Sequence, residues 1–258
     1  MAEQFYDEDM VRQQERLART RDMVVQRKEL LSSLDLKPGE SVLDVGSGNG
    51  IFAREMKAAV GPEGRVCGVD ASEQMVAMAR NLCPEAEFIL ADATDLPLQD
   101  EKFDAVTASQ LLCFVGEPDK AIHAMYRILK PGGRLVILDT DWSSLIWNCR
   151  NQRLMDRAIA MFADVYADSS VPRTLTRRLK AAGFRITERR SFSVLNWEID
   201  PDTYAQQTAG FIKPMMAASD NFTEDDWMEW EADQRATSEA GEFMFSLNRY
   251  IFSASKPL

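Results

Sequence analysis

Histidine is nearly missing from this 258-residue chain, which has one, His123. The four cysteines, Cys67, Cys83, Cys113 and Cys149, are widely scattered and form no C-x-x-C pair. Together these shortages exclude a Cys/His zinc site, and no metal is expected; the thiols read as reduced and mostly buried. Long apolar runs are also lacking, and none approaches the ~20 residues of a membrane span. The opening M-A-E-Q-F-Y-D-E-D is acidic and without the basic-then-apolar order of a signal peptide, so a cytoplasmic protein is expected. Basic residues are in deficit, 30 against 41 acidic, for a net charge of −11. That balance argues against a nucleic-acid partner, because phosphate binding needs a basic footprint. The one basic run, residues 173–180, reads as the solvated face of a helix. There is no internal repeat and no low-complexity tract.

What is present is an alternation. Residues 8–35 read as one long helix, with Met10, Leu17, Val24 and Leu31 recurring every seven positions. Strands are expected at 41–45, 65–69, 87–90, 103–108 and 134–139. Helices are expected at 51–60, 72–82 and 119–129, the last closed by Lys130-Pro131-Gly132-Gly133. Strands alternating with helices of this length imply an α/β, doubly wound, mostly parallel sheet with helices on both faces. Ligands of such sheets sit beyond the carboxyl ends of the strands, where Asp70, Asp92, Ser109 and Asp139 fall. After Asp141 the alternation lapses. Helices are expected at 150–167 and 173–182, strands at 184–194 and 243–255, and an aromatic- and methionine-rich stretch fills 196–241.

The stretch that organises the rest is S-V-L-D-V-G-S-G-N-G-I-F, residues 41–52. A buried strand, a tight glycine loop and a helix N-terminus let backbone approach a ligand closely. A dinucleotide fingerprint wants G-x-G-x-x-G. Here Gly46 and Gly48 fit, but Ile51 holds the third position and Gly50 comes one place early. Asp70, ending the second strand, is placed to accept from both hydroxyls of a ribose. Asp92, in A-D-A-T-D-L-P after the third strand, is placed to accept from an exocyclic adenine amine.

With these pieces in family order across residues 41–139, the sequence resembles the class I S-adenosylmethionine-dependent methyltransferases. The matching segments are L-D-V-G-S-G-N-G, V-D-A-S-E-Q-M, A-D-A-T-D-L-P, F-D-A-V-T-A-S-Q and I-L-K-P-G-G-R-L-V-I-L-D. They cover about two-fifths of the chain. The nearest branch is that of small-molecule enzymes similar to the ubiquinone/menaquinone C-methyltransferases. The resemblance implies a Rossmann-like, seven-stranded sheet in which 184–194 and 243–255 are the last two strands, one of them antiparallel. It implies a single methyltransferase domain over 1–258. Residues 1–40 would form a helical cap, 41–140 the cofactor-binding core, and 143–182 and 196–241 helical insertions forming a lid.

Carried over residue by residue, Gly46, Ser47, Gly48 and Gly50 would pass under the methionine moiety of S-adenosylmethionine, with Asp44 at its amino group. Asp70 would hold the ribose, Ala71 and Met75 would line the adenine, and Asp92 and Ala93 would read its edge. Met75 serves equally well as core. Ser109 and Gln110 would sit beside the sulfonium, and S-adenosylhomocysteine would be the product.

Methyl transfer from a sulfonium is an in-line displacement, for which holding the partners ~3–3.5 Å apart and excluding water supplies most of the rate. A base is needed only if the nucleophile must lose a proton. His123 is rejected, since it flanks the apolar face of its helix far from the strand ends. The better candidates follow the fifth strand: Asp139, Asp141 and Trp142, the carboxylates to take a proton or hold a cationic amine and the indole to stack. A loop turn with a packing Trp is the alternative. Tyr6, Tyr204 and residues 211–216 either line an apolar pocket or form the core of the lid. Ser109-Gln110-Leu111-Leu112 replaces the Asp/Asn-Pro-Pro-aromatic signature of nucleobase amino methyltransferases, and no metalloid-binding cysteine cluster is evident.

The expected function is methyl transfer to a small-molecule acceptor in an enclosed, partly apolar pocket. Three alternatives stay open: an NAD(P)-dependent reductase, a member of the fold that binds the cofactor without methylating, and a protein-binding module using the aromatics of 196–241. The acceptor and the choice between monomer and homodimer are not legible.

Overall fold

The computed structural model describes residues 8–258; Tyr6 lies outside the described residues. In chain order the elements are α1 (Glu8–Arg19), α2 (Arg21–Leu34), β1 (Ser41–Val45), α3 (Ile51–Val60), β2 (Arg65–Asp70), α4 (Glu73–Leu82), β3 (Glu87–Leu90) and β4 (Phe103–Ser109). They continue as α5 (Pro118–Ile128), β5 (Leu129–Thr140), β6 (Ile146–Trp147), α6 (Gln152–Ala163), α7 (Pro172–Ala181), β7 (Arg185–Asn196), α8 (Tyr204–Ala218), α9 (Glu224–Glu239) and β8 (Phe245–Ser255). The chain divides into two compact units: Arg27–Asp141 with Ser170–Phe192 and Arg249–Leu258, and the remainder.

The first unit holds the parallel sheet. β1 pairs with β2 on one side and β4 on the other, and β3 and β5 extend the two flanks, all in parallel. The order is β3-β2-β1-β4-β5-β8-β6, with β7 also paired to β8 and β8 antiparallel to β5. The fold is thus the expected α/β, mostly parallel one, but the sheet has eight strands rather than seven. The extra one is β6, two residues long and too short to leave a pattern in sequence. Val42, Leu43 and Val45 of β1 are fully buried, as a central parallel strand covered on both faces demands. The direction of winding reverses between β1 and β4, so the loops leaving their carboxyl ends part and open a crevice.

β5 begins five residues earlier than the expected strand at 134. Leu129 pairs with Phe103, and after a register shift Arg134 pairs with Ala105, so residues 130–133 ride within the strand as an irregularity. The other boundaries of this unit fall within a residue or two of expectation.

The second unit is mainly helical. It gathers α1, α6, α8 and α9 with β6 and the start of β8. Gln13 of α1 donates from Nε2 to the Gln207 carbonyl at 2.6 Å and to its side-chain Oε1 at 3.0 Å. Gly210 permits this approach, since a Cβ there would stand 2.3 Å from Gln13 Nε2. Trp147 packs against Trp230 and Phe245, and Trp142 stacks on Tyr166 and meets Phe162 edge-on. Tyr204, Phe211, Ile212 and Met216 are buried, which makes them core of this unit.

Residues 8–35 are two helices rather than one. The break is at buried Thr20, whose N–H and hydroxyl both donate to the Leu17 carbonyl, while the Arg21 N–H donates to Asp202. The heptad residues Met10, Leu17, Val24 and Leu31 are only half-buried. The buried positions are Val11, Gln13, Thr20, Gln26, Arg27, Leu30 and Leu34; of the polar ones, Gln13 meets Gln207, Thr20 the Leu17 carbonyl and Arg27 the Glu55 carboxylate. Likewise α6 stops at Ala163, four residues short of the expected end at 167.

Candidate functional site

The site is built by the turn between β1 and α3. Gly46, Gly48 and Gly50 all have positive φ, at 76°, 51° and 79°. The requirement is strictest at Gly50, where a Cβ would lie 2.8 Å from the Ala79 Cβ and 2.9 Å from its Cα on α4. At Gly46 a Cβ would run into the Leu111 side chain at 2.9 Å. The Gly46 and Ser47 N–H groups both donate to the Val69 carbonyl, tying the loop to β2. Helix α3 then starts from Gly50, which has no side chain to cap it, with the Asn49 Oδ1 accepting from the Ile51 N–H at 3.2 Å and no acidic residue in its first turn, so its amino end carries no offsetting charge.

Two carboxylates face this loop. Asp70 accepts from the Gly48 N–H at 2.8 Å and the Ser72 N–H at 2.9 Å, so both oxygens are held in place before any ligand arrives. Burial raises its pKa from the ordinary value against the opposing pull of those hydrogen bonds. Asp44, inside β1 and 2% exposed, is pushed up to about 7 by burial and by the negative charge of Asp70. Ser47 Oγ is buried and has no hydrogen-bond partner. A buried carboxyl with a raised pKa and an unpartnered buried hydroxyl in the loop that follows are groups a ligand ammonium would satisfy.

The adenine-side expectations fall around the ends of β2 and β3. Ala71 is exposed, Met75 is 3% exposed at the start of α4, and Ala93 is buried. Asp92 is exposed and accepts from the Thr94 N–H and hydroxyl through one oxygen, which lowers its pKa.

At the end of β4, Ser109 is half-buried and Gln110 adopts a left-handed φ of 54°, strained for a residue with a Cβ. Its N–H donates to the Leu138 carbonyl at 2.7 Å, and its Oε1 accepts from the Thr140 hydroxyl at 2.8 Å. Leu111 follows, its side chain lying over Gly46.

The candidates after β5 have separate fates. Asp139 is fully buried; one oxygen accepts from the Leu112 N–H at 3.0 Å and the other has no partner. Burial pushes it up to about 7. Asp141 is held by the Arg173 guanidinium through both oxygens, from Nε at 2.7 Å and from an Nη at 3.1 Å. Trp142 belongs to the helical unit and its aromatic cluster, with Nε1 lacking a partner. His123 is exposed on α5 and hydrogen-bonds the Asp119 carbonyl.

Thr140 and Arg173 were not legible as site residues. A signal for Arg173 existed: it stands in the first turn of α7, where no acidic residue offsets it and where the helix dipole disfavours a cation.

A parallel sheet with this glycine turn and acidic strand end defines a nucleotide-type cofactor fold, and the comparisons give its class. Residues 43–137 match the family model described as a methyltransferase domain. The chain is 32% identical over 173 residues to the ubiquinone/menaquinone biosynthesis C-methyltransferase of Vibrio campbellii, covering 59% of this chain and 67% of that protein. It is 43% identical over 120 residues to a 37.1 kDa protein of a Streptomyces fradiae transposon, covering 45% of this chain. Of that relative it spans only about a third, 34% of the length.

Among solved structures, a candidate methyltransferase from Bacillus halodurans superposes with a TM-score of 0.64 at 21% identity, covering 91% of this chain and 100% of the other. The phosphoethanolamine N-methyltransferase 2 of Haemonchus contortus, solved with phosphomonomethylethanolamine and S-adenosylhomocysteine, has a TM-score of 0.64 at 18% identity, covering 99% of this chain and 59% of the other. The chain belongs to the S-adenosylmethionine-dependent methyltransferases. Its cofactor carries an α-ammonium and a sulfonium, and the Asp44 carboxyl with the unpartnered Ser47 hydroxyl fits such a group.

Proposed function

We propose that this enzyme methylates a small, partly apolar molecule and that orientation supplies most of the rate. In this reading Gly46, Ser47, Gly48 and Gly50 form the bed of the methionine moiety, with Asp44 at its ammonium. Asp70 takes the ribose hydroxyls, Ala71 and Met75 line the adenine, and Asp92 and Ala93 meet its edge. Ser109 and Gln110 stand beside the sulfonium. The observation that carries the reading is the Asp44–Asp70 pair. One carboxylate is fixed by two backbone N–H groups, and the other is kept half-neutral until a cation arrives.

When bound, the cofactor supplies an electrophilic methyl on a positively charged sulfur. The chain's part is to hold the acceptor in line, and a strained, hydrogen-bonded Gln110 is a rigid wall for that purpose. Asp141, clamped by Arg173, is assigned to positioning that guanidinium rather than to taking a proton. Asp139, sealed in the core, is assigned to holding the loop after β4 through the Leu112 N–H. With Asp141 held by Arg173 and Asp139 buried against the Leu112 N–H, the reading favours acceptors that react without a base or arrive already ionised.

A small-molecule acceptor is supported by the relatives' names, and the acidic net charge opposes a nucleic acid. The helical segments 142–169 and 193–248 interrupt the methyltransferase core in sequence, and we read them as the part that individualises the acceptor. The test is methyl-labelled S-adenosylmethionine with a pooled panel of quinols, phenols, amines and carboxylic acids, followed by mass spectrometry. Label in one acceptor with matching S-adenosylhomocysteine is expected. Label only on nucleic acid or protein would overturn the reading.

A further inference from the structure

The helical unit contains a cavity of about 510 Å³, a size suited to a small ligand. Trp147 and Phe243 line it from the core and are buried, while Ile146 and Trp197 line it and are 55% and 63% exposed. A tryptophan so exposed is unusual for its size. Two carboxylates, Asp156 and Glu242, complete the lining, and no lysine or arginine takes part in it. Asp156 accepts from the Gln152 amide at 2.8 Å, and neither acid has an ion-pair partner among the described residues. None of these residues belongs to the glycine loop or to the strand ends assigned to the cofactor.

We propose that this cavity is a second small-molecule site, selective for an organic cation with an aromatic or aliphatic body. The chemistry is complementary on two counts. The indole face of Trp197 attracts a cation through its quadrupole, and the two carboxylates supply opposite charge without a competing protein cation. Trp147, Phe243 and Ile146 offer apolar surface for the body of the ligand. A neutral apolar molecule satisfies only the last of these, and an anion meets repulsion from both acids.

The experiment uses the full-length protein saturated with S-adenosylhomocysteine, titrated with benzyltrimethylammonium and, separately, with its uncharged carbon isostere neopentylbenzene. Calorimetry and tryptophan fluorescence report binding. The ammonium should bind at one site with a dissociation constant on the order of a millimolar, and the isostere about tenfold more weakly. Trp197→Ala should weaken the ammonium about tenfold, and the Asp156→Asn/Glu242→Gln double variant by a similar factor while removing most of the salt dependence. All three side chains are exposed, so thermal melts should match the parent. Equal binding of the isostere, indifference to the cavity variants, loss of binding when S-adenosylhomocysteine saturates the protein, or no saturable binding would each overturn the proposal.

Discussion

Binding of S-adenosylmethionine should expel a proton from Asp44. Burial and the charge of Asp70 hold that carboxyl at about 7, so near pH 7 about half of the unliganded molecules carry it protonated. An ammonium placed against it favours the ionised form and draws its pKa back toward the ordinary carboxylate range. The expected release is about 0.5 proton per site at pH 7 and about 0.9 at pH 6. Below pH 7 the affinity should fall by up to about tenfold per pH unit, because the ligand must pull the proton off before the ion pair forms. The assay is calorimetry at pH 6 and 7 in buffers of different ionisation enthalpy, which gives the proton count directly. Staying at or below pH 7 keeps the ligand's own α-amino group, with an ordinary pKa near 8, almost fully charged. Asp44→Asn should abolish the release and flatten the pH dependence. A release near zero in the parent protein, or an undiminished one in Asp44→Asn, would refute the pairing of this carboxyl with the ammonium.

Asp70→Ala strips an acceptor from the Gly48 and Ser72 N–H groups as well as from the ribose, and cofactor affinity by calorimetry should drop at least ~30-fold. Gly50→Ala must accommodate a Cβ at 2.8 Å from Ala79 with φ at 79°, and urea melts should show a loss of about 2–4 kcal/mol. The Asp139 carboxyl sits near 7 when folded against an ordinary 3.8, so the folded state keeps a proton that the unfolded chain has released. Its share of stability is full below about pH 4 and is lost as pH rises to 7, up to about 4 kcal/mol; Asp139→Asn should flatten that slope in chemical melts. Asp141→Asn and Arg173→Met should each lower turnover about tenfold while leaving cofactor affinity within about twofold, and the double variant should be no worse than the worse single one. Additive losses would mean that the two residues act separately.

What could be read in the sequence is what local physics decides. The boundaries of β1 and α3 were legible to the residue, because a short strand with three buried apolar residues, a positive-φ turn and an amphipathic helix each leave a signature within a dozen positions. The break at Thr20 left none. The heptad stripe runs smoothly through it, and the partner that captures the Arg21 N–H is Asp202, far along the chain. The same holds for the irregular start of β5, where pairing with Phe103 draws a Lys-Pro-Gly-Gly segment into a strand that its composition opposes. Two-residue β6 has no periodicity to detect.

The site divides along the same line. Its glycine and acidic positions lie where the motif spacing placed them, since backbone turns and strand ends are local events. The meaning of the carboxylates after β5 was not local at all. Asp139 and Asp141 look equivalent in the run L-D-T-D-W, two acids at a strand end. The pleat would put both on one face, but β5 ends at Thr140, so Asp139 stays in the core against the Leu112 N–H while Asp141, past the strand end, meets an arginine 32 residues on. The two are set apart from a reacting centre for different reasons. Burial raises the basicity of Asp139 but seals it away from a substrate proton, and the ion pair stabilises Asp141 as an anion of low basicity. On the proposed reading, an acceptor that must lose a proton gives it to solvent or arrives already ionised. On that reading the pH dependence of turnover lies with the substrate, and profiles for two acceptors of different pKa should be displaced by the difference between them. A single profile shared by both would return a protein base to the mechanism.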